Sequence, residues 1–104
     1  VTFLATEVDL DAQGMKDLSF ELGATLDNVV LILASQANQA PLMSCYISKP
    51  LVAEKGWDAG KIIRTLGSYI KGGGGGQAFY ATAGGKAVDG IPKALAAAKD
   101  ILFN

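Results

Sequence analysis

The chain has 104 residues, the length of one domain, which leaves no room for separate catalytic and binding domains. Half of the residues are hydrophobic and 18% are charged, which excludes a disordered chain and favours one domain over residues 1–104. There is no His and only one Cys, which excludes His-dependent acid–base catalysis, Cys–His nucleophiles, the usual zinc sites and an internal disulfide. We therefore expect no catalytic residue and no metal site.

Residues 1–8 are rich in strand-forming side chains and predict a strand. Asp11 then caps a helix, which ends near Gly23 and the pair Asp27-Asn28. The apolar stripe of this helix comprises Met15, Leu18, Leu22 and Leu26. Residues 29–34 are continuously aliphatic, which is typical of a strand buried on both faces. Strand, helix and strand predict a βαβ unit with two parallel strands.

A polar connection over residues 36–40 leads to an alternating strand at residues 42–48, which we expect to pair antiparallel with its predecessor. Asp58 caps a second helix, and Asp89 caps a last helix that has Pro92 in its first turn. The buried face of the second helix comprises Ile62, Ile63, Leu66, Tyr69 and Ile70, and that of the last helix Ile91, Leu95, Ala98 and Leu102. The predicted fold class is α/β: a single mixed sheet with a βαβ unit and an antiparallel hairpin, packed by about three helices.

Cys45 alternates with the apolar residues Met43 and Ile47, so we interpret it as a thiol of the core. A reduced thiol without a disulfide framework suggests a cytoplasmic protein. The longest apolar run is far too short to cross a bilayer, so we expect no membrane partner. Because the first residue is Val1 rather than Met, we expect the chain to be a fragment or a processed product of a longer one.

The charges are segregated along the chain although the net charge is only −1. Residues 1–48 carry one Lys against six acidic residues, whereas residues 49–86 carry six basic residues against two acidic ones. Such a distribution predicts a dipolar domain with one basic surface. The basic half also contains most of the glycines.

The segment from Gly72 to Gly85 contains seven glycines. Ordering a glycine is unfavourable by about 0.5–1 kcal/mol relative to Ala, so this composition needs a reason. Three interpretations remain open: a flexible linker, a site where glycines let the last helix approach the sheet, or a cradle of bare amides for an anion. The glycine run follows a helix rather than a strand, and the chain has no Gly-Lys-Ser or Gly-Lys-Thr, so neither common nucleotide-phosphate motif fits.

Lys71, Gln77 and Lys86 flank the glycines with two cations and an amide, an arrangement that favours contact with a nucleic-acid backbone. The neighbouring Phe79 and Tyr80 could stack on a base, or one of them could pack inward.

Residues 71–86 read Lys, five Gly, Gln-Ala-Phe-Tyr-Ala-Thr-Ala, Gly-Gly and Lys, and they resemble the glycine-rich signature of alanyl-tRNA synthetases. The resemblance extends over residues 51–102 and, more loosely, over residues 29–47. This region is similar to the DHH-associated domain, which those synthetases share with phosphoesterases that cleave short or single-stranded nucleic acids. The motif positions are Gly72, Gly73, Gly74, Gly75, Gly76, Gln77, Ala81, Gly84 and Gly85.

The resemblance implies a C-terminal domain that holds tRNA and brings aminoacylation and editing domains together on it. It implies a parent enzyme, alanine–tRNA ligase, whose ATP and zinc would be bound by other domains, so we expect no cofactor in this chain. The expected partners are tRNA and the other synthetase domains. From the placement of charge we add four residues to the expected nucleic-acid-binding set: Lys61, Arg64, Lys71 and Lys86.

Two positions depart from the family pattern. Ala78 stands where the family often has Pro, which suggests a less rigid loop. Gln77 stands where the phosphoesterases usually have His, which favours the synthetase branch. Two alternatives stay open: the substrate-recognition domain of a DHH-type nucleic-acid phosphoesterase, and a homodimerisation module in which the glycines serve helix packing.

Overall fold

The computed structural model describes residues 2–26, 28–36 and 40–103. For Phe103 it describes the backbone alone. Within these residues the chain forms β1 (Thr2–Glu7), α1 (Ala12–Thr25), β2 (Val29–Ser35), β3 (Leu42–Ile47), α2 (Lys49–Lys55), α3 (Ala59–Tyr69), β4 (Gly73–Gly76), β5 (Tyr80–Gly84) and α4 (Ile91–Phe103). The strands form one sheet in the order β1-β2-β3-β5-β4. β1 and β2 are parallel, and all other neighbours are antiparallel. The predicted α/β class, βαβ unit and hairpin are therefore confirmed.

The two faces of the sheet bury different sets of side chains. Every residue of β2 is buried, as predicted for a strand covered on both sides. Val30, Ile32 and Ala34 face the main core, which α2, α3 and α4 complete. The intervening residues Val29, Leu31 and Leu33 are equally buried on the opposite face, where α1 packs with Met15. Cys45 belongs to the main core and is fully buried, as predicted.

Aspartates begin two of the helices, as predicted. The Asp11 side chain accepts a hydrogen bond from the Gly14 amide at 2.8 Å, which satisfies one free donor of α1. Asp58 does the same for α3, accepting from the amides of Gly60 at 2.8 Å and Lys61 at 3.3 Å. These caps fix the points at which the chain enters the helices on each face of the sheet.

The structure departs from the sequence-based expectations in four places. α2 is a fourth helix, where about three were expected; Pro50 in its first turn and the left-handed Gly56 at its end (φ 68°) are its signals. Tyr69 lies at the margin of the α3 stripe and is 41% exposed, so its assignment to the buried face was wrong. Leu26, at the end of α1, is likewise exposed. Asp89 lies inside a 3₁₀ turn (Val88–Gly90) that precedes α4. It is therefore not the residue directly before the first residue of α4, where a cap would stand.

Three sequence-based expectations involve residues outside the described ranges. Val1 was expected to open the first strand, and Asp27 to help end the first helix. Residues 37–39 belong to the expected polar connection.

Candidate functional site

The glycine-rich segment forms a β-hairpin at one edge of the sheet, so its interpretation as a flexible linker was wrong. β4 consists of Gly73–Gly76 and pairs only with β5 within the described sheet. The Gln77 amide donates to the Tyr80 carbonyl at 2.8 Å, which closes the turn over Ala78 and Phe79. β5 is anchored because Ala81 and Ala83 are buried in the main core. We call residues 72–85 the glycine hairpin.

Alternate glycines of this hairpin are required by close contact with the neighbouring backbone. A Cβ at Gly72 would overlap the Gly84 carbonyl oxygen, and one at Gly74 would overlap that of Thr82. A Cβ at Gly76 would lie 2.6 Å from the Tyr80 carbonyl oxygen. Because these obstacles are backbone atoms, a side chain at any of the three positions would force the strands apart. These glycines therefore serve packing within the hairpin.

Helix α3 also packs against β4, less tightly, and two glycines of the helix face the strand. A Cβ at Gly60 would lie 3.2 Å from the Gly76 carbonyl oxygen, and one at Gly67 would lie 3.5 Å from that of Gly72. Gly60 and Gly67 are two helical turns apart, so they meet the two ends of β4. The close-packing interpretation is thus supported, with one change: the helix that approaches is α3, not the last helix.

Two glycines of β4, Gly73 and Gly75, have open space where a side chain would lie. A Cβ at Gly73 would have no heavy atom within 4 Å, and the nearest atom to one at Gly75 would be Arg64 Nη1 at 3.9 Å. Gly73, Gly74 and Gly76 are exposed. An edge strand also leaves every second peptide unit without a strand partner. Packing alone accounts for Gly72, Gly74 and Gly76, and it leaves the absence of side chains at Gly73 and Gly75 unexplained.

The four cations expected from the sequence lie on α3 or near this edge. Lys61 and Arg64 are exposed on α3. The guanidinium of Arg64 lies beside Gly75 of β4. Lys71 follows α3 in a left-handed conformation (φ 54°). The Lys86 amide donates to the carbonyl of Ile70 at 2.8 Å, which brings the backbone of Lys86 beside that of Lys71. Arg64, Lys71 and Lys86 therefore lie near this strand edge, and Lys61 lies one helical turn before Arg64 on α3.

The charge segregation of the sequence becomes a difference between the two faces of the sheet. The exposed acidic residues Asp17 and Glu21 lie on α1, whereas Lys61 and Arg64 lie on α3, on the other face. The glycine hairpin forms the edge between them. An anion therefore meets its favourable potential along the α3 side of β4 rather than across α1.

Three adjoining depressions run between α1 and the glycine hairpin, with volumes of about 350, 330 and 540 Å³. The first and second share Gly75, Tyr80 and Thr82, and the second and third share Phe20 and Phe79. We call them together the α1 groove.

An aromatic cluster separates two ends of the α1 groove. The Phe20 ring lies 5.2 Å from that of Tyr80 and 5.4 Å from that of Tyr46. Phe79 is half-buried at the turn, with Lys49 Nζ 5.2 Å from its ring centroid. Tyr80 thus packs inward, as one of the two sequence-based alternatives had it. Phe20 and Tyr46 were not expected at the site; the signal for Phe20 was a large aromatic residue off the apolar stripe of α1.

Among the described residues, no group of three or more His, Cys, Asp or Glu side chains could hold a metal ion. The helices in this part of the chain lack the length and apolar character that a bilayer-spanning segment needs.

Two relatives of this chain are alanine–tRNA ligases. The chain is 51% identical over 102 residues to the alanine–tRNA ligase of Christiangramia forsetii, covering 98% of this chain and 12% of that relative. It is 46% identical over 95 residues to the enzyme of the same name from Flavobacterium psychrophilum, covering 91% of this chain and 11% of the relative.

A solved structure is similar to this chain over nearly the whole length of the chain. The C-Ala domain of Aquifex aeolicus alanyl-tRNA synthetase matches with a TM-score of 0.84 and 29% sequence identity, covering 99% of this chain and 90% of that chain. The family model of the DHHA1 domain matches residues 1–104. This chain therefore belongs to the DHHA1 domain family.

Proposed function

We propose that this chain is the tRNA-binding C-terminal domain of an alanine–tRNA ligase, and that it positions tRNA for aminoacylation and editing by the other domains of its parent. The relatives that match it carry the name of that enzyme, and the chain spans only 11–12% of their length. On this proposal the parent is the enzyme, and this domain binds without reacting. The relatives' names also favour the ligase over a nucleic-acid phosphoesterase.

The observation that carries the proposal is an open strand edge without side chains, bordered by the exposed cations Arg64, Lys71 and Lys86. Phosphate contacts supply most of the affinity of such surfaces and come from Lys, Arg and backbone amides. Both kinds of donor meet at β4: the glycines keep the backbone accessible, and Arg64, Lys71 and Lys86 lie around it. The groups of this one edge suit a phosphodiester backbone.

A tRNA-binding titration at low ionic strength tests this site. The double variant Lys71→Gln/Lys86→Gln removes two charges at the glycine hairpin, and we expect it to weaken binding roughly tenfold and to reduce the slope of log affinity against log salt by about two. The matched control Lys93→Gln/Lys99→Gln removes two exposed charges from α4, which packs over β1 and β2. If both variants bind tRNA as tightly as the unchanged chain, or if both lose affinity equally, the site is misplaced.

A further inference from the structure

Strand β1 forms the edge of the sheet opposite the glycine hairpin, and within the described sheet it pairs only with β2. The amides of Thr2 and Val8 donate to the carbonyls of Asn28 and Ala34 at 2.9 and 2.7 Å. The even-numbered residues of β1 therefore direct their N–H and C=O groups towards β2. Because this direction alternates along a strand, the N–H and C=O of Ala5 point away from the sheet.

The sequence of β1 lacks the residue types that usually protect an exposed sheet edge. Its six residues pair with β2 in continuous register, without a bulge. They include no Pro, Lys or Arg, and their one charge is Glu7 at the end of the strand. Leu4 is 42% exposed, because α1 packs mainly over β2 and β3. A straight and nearly neutral edge of this kind is suited to pairing with another strand.

The strand is complementary to itself in one antiparallel register. With Leu4 opposite Leu4 of a second copy, Ala5 stands opposite Phe3, so a small side chain meets a large one on the same face. The hydrogen-bonding pattern agrees with this register, because odd-numbered residues direct their N–H and C=O groups outward and Leu4 directs its own towards β2. Leu4 and its counterpart would thus form a non-hydrogen-bonded pair, in which side chains lie closest. The pairing would cover the exposed leucine.

The charges near this edge do not oppose a second copy. In this register the two Glu7 carboxylates lie at opposite ends of the ladder, about 20 Å apart along the strands. A depression of about 680 Å³ between β1 and α4 is lined by residues 3–5 and, on α4, by Leu95, Ala96, Lys99 and Asp100. Its two charged residues have opposite signs, so this wall has no net charge that would repel its copy.

We propose that β1 is a dimerisation edge, at which two copies of this chain pair antiparallel and join their five-stranded sheets into one. The dimer does not use the glycines, unlike the dimerisation module considered from the sequence, and it leaves both glycine hairpins at the outer edges. One short strand with its adjoining helix buries less than a standard interface of about 1,600 Å². We therefore expect a weak dimer, with a dissociation constant on the order of 10–100 µM.

Sedimentation equilibrium of the 104-residue chain, from micromolar to millimolar concentrations, tests the dimer. We expect the average mass to rise from that of one chain towards that of two, and high salt to leave this rise unchanged. Leu4→Lys would place like charges opposite each other and should weaken the dimer roughly tenfold or more. Leu26→Lys is the matched control, because Leu26 is a leucine of similar exposure (39%) at the end of α1. We expect it to leave the dimer unchanged.

Disulfide cross-linking tests the register. In Leu4→Cys the two Cα atoms would lie about 4.5 Å apart, within the range that a disulfide spans, so mild oxidation should give a covalent dimer. Thr6→Cys is the control on the same face of β1, because its two copies would lie about 13 Å apart and should stay reduced. Cys45 is buried and common to both variants.

Three results would overturn the proposal. The first is a chain that stays monomeric at millimolar concentration. The second is a dimer that Leu4→Lys leaves intact, which would place the interface elsewhere. The third is cross-linking of Thr6→Cys as efficient as that of Leu4→Cys, which would exclude the proposed register.

Discussion

Burial opposes the ionisation of Cys45 and Tyr80. Cys45 is fully buried in the main core, and burial raises the pKa of its thiol far above the ordinary value of 9.0. Burial also raises the pKa of Tyr80 above its ordinary value of 10.0, and the Ser44 hydroxyl offsets part of this rise. Both groups stay neutral in the folded chain, so Cys45 is a packing residue and not a nucleophile.

The raised pKa of Cys45 predicts alkaline destabilisation. As pH rises, the unfolded chain loses the thiol proton first, so the free energy of unfolding is unaffected by this group below its unfolded pKa and falls above it. We expect the fall to begin near pH 9, where Cys45 ordinarily ionises, and Tyr80 to add to it above pH 10. For Cys45 the slope should approach about 1.4 kcal/mol per pH unit.

Urea denaturation at a series of alkaline pH values measures this slope. Cys45→Ala, although less stable overall, should lose the part of the slope that lies between the ordinary pKa values of Cys and Tyr. An identical slope in the variant would contradict the account of the buried thiol.

At the scale of elements, the contact of α3 with β4 and β5 explains why a glycine run becomes a strand. Glycine has low strand propensity, so no local signal in residues 72–76 predicts β4. The strand exists because β5 is anchored in the core and because Gly60 and Gly67 let α3 lie against the new backbone. The strands and helices with clear apolar periodicity were predictable, whereas β4 depends on contacts that the sequence does not display.

The alternation of crowded and open glycines predicts opposite outcomes for neighbouring substitutions. Gly74→Ala would place a methyl group against the Thr82 carbonyl and 2.6 Å from the Ala83 Cα, so we expect it to lower the free energy of unfolding by about 1–3 kcal/mol. Gly73→Ala meets open space and should change it by no more than about 1 kcal/mol, towards greater stability. Equal effects in chemical denaturation would show that the alternation is absent.

The cap of α3 gives a second prediction at this scale. Asp58→Ala removes the acceptor of two helix amides and should lower the free energy of unfolding by about 1 kcal/mol. Asp89→Ala is the control, because Asp89 is exposed within the 3₁₀ turn, whose own cap has no side-chain hydrogen bond. We expect a change within about 0.5 kcal/mol for the control, measured by thermal or urea unfolding. If Asp89→Ala lowered the free energy of unfolding as much as Asp58→Ala does, Asp89 would be a helix cap, as the sequence predicts.

At the scale of the whole molecule, the fold converts a linear segregation of charge into two unlike faces that meet at the glycine hairpin. The cations and glycines of the candidate site were predictable because they lie within one stretch of the sequence. The α1 groove was not, because it combines Phe20 and Ser44 with β4 and β5, which are distant in sequence. Sheet order brings these elements together, and sheet order depends on tertiary pairing.

The central claim is that the open backbone of β4 is the surface on which tRNA lies. Gly73→Leu tests it most directly, because the position has room for a side chain and the fold should keep its free energy of unfolding. The control Thr2→Leu places the same side chain at an exposed position of β1, the strand at the opposite edge of the sheet. We predict that Gly73→Leu lowers tRNA affinity at low salt roughly tenfold or more, whereas Thr2→Leu leaves it unchanged. A stable Gly73→Leu chain that binds tRNA as tightly as the unchanged chain would contradict the claim.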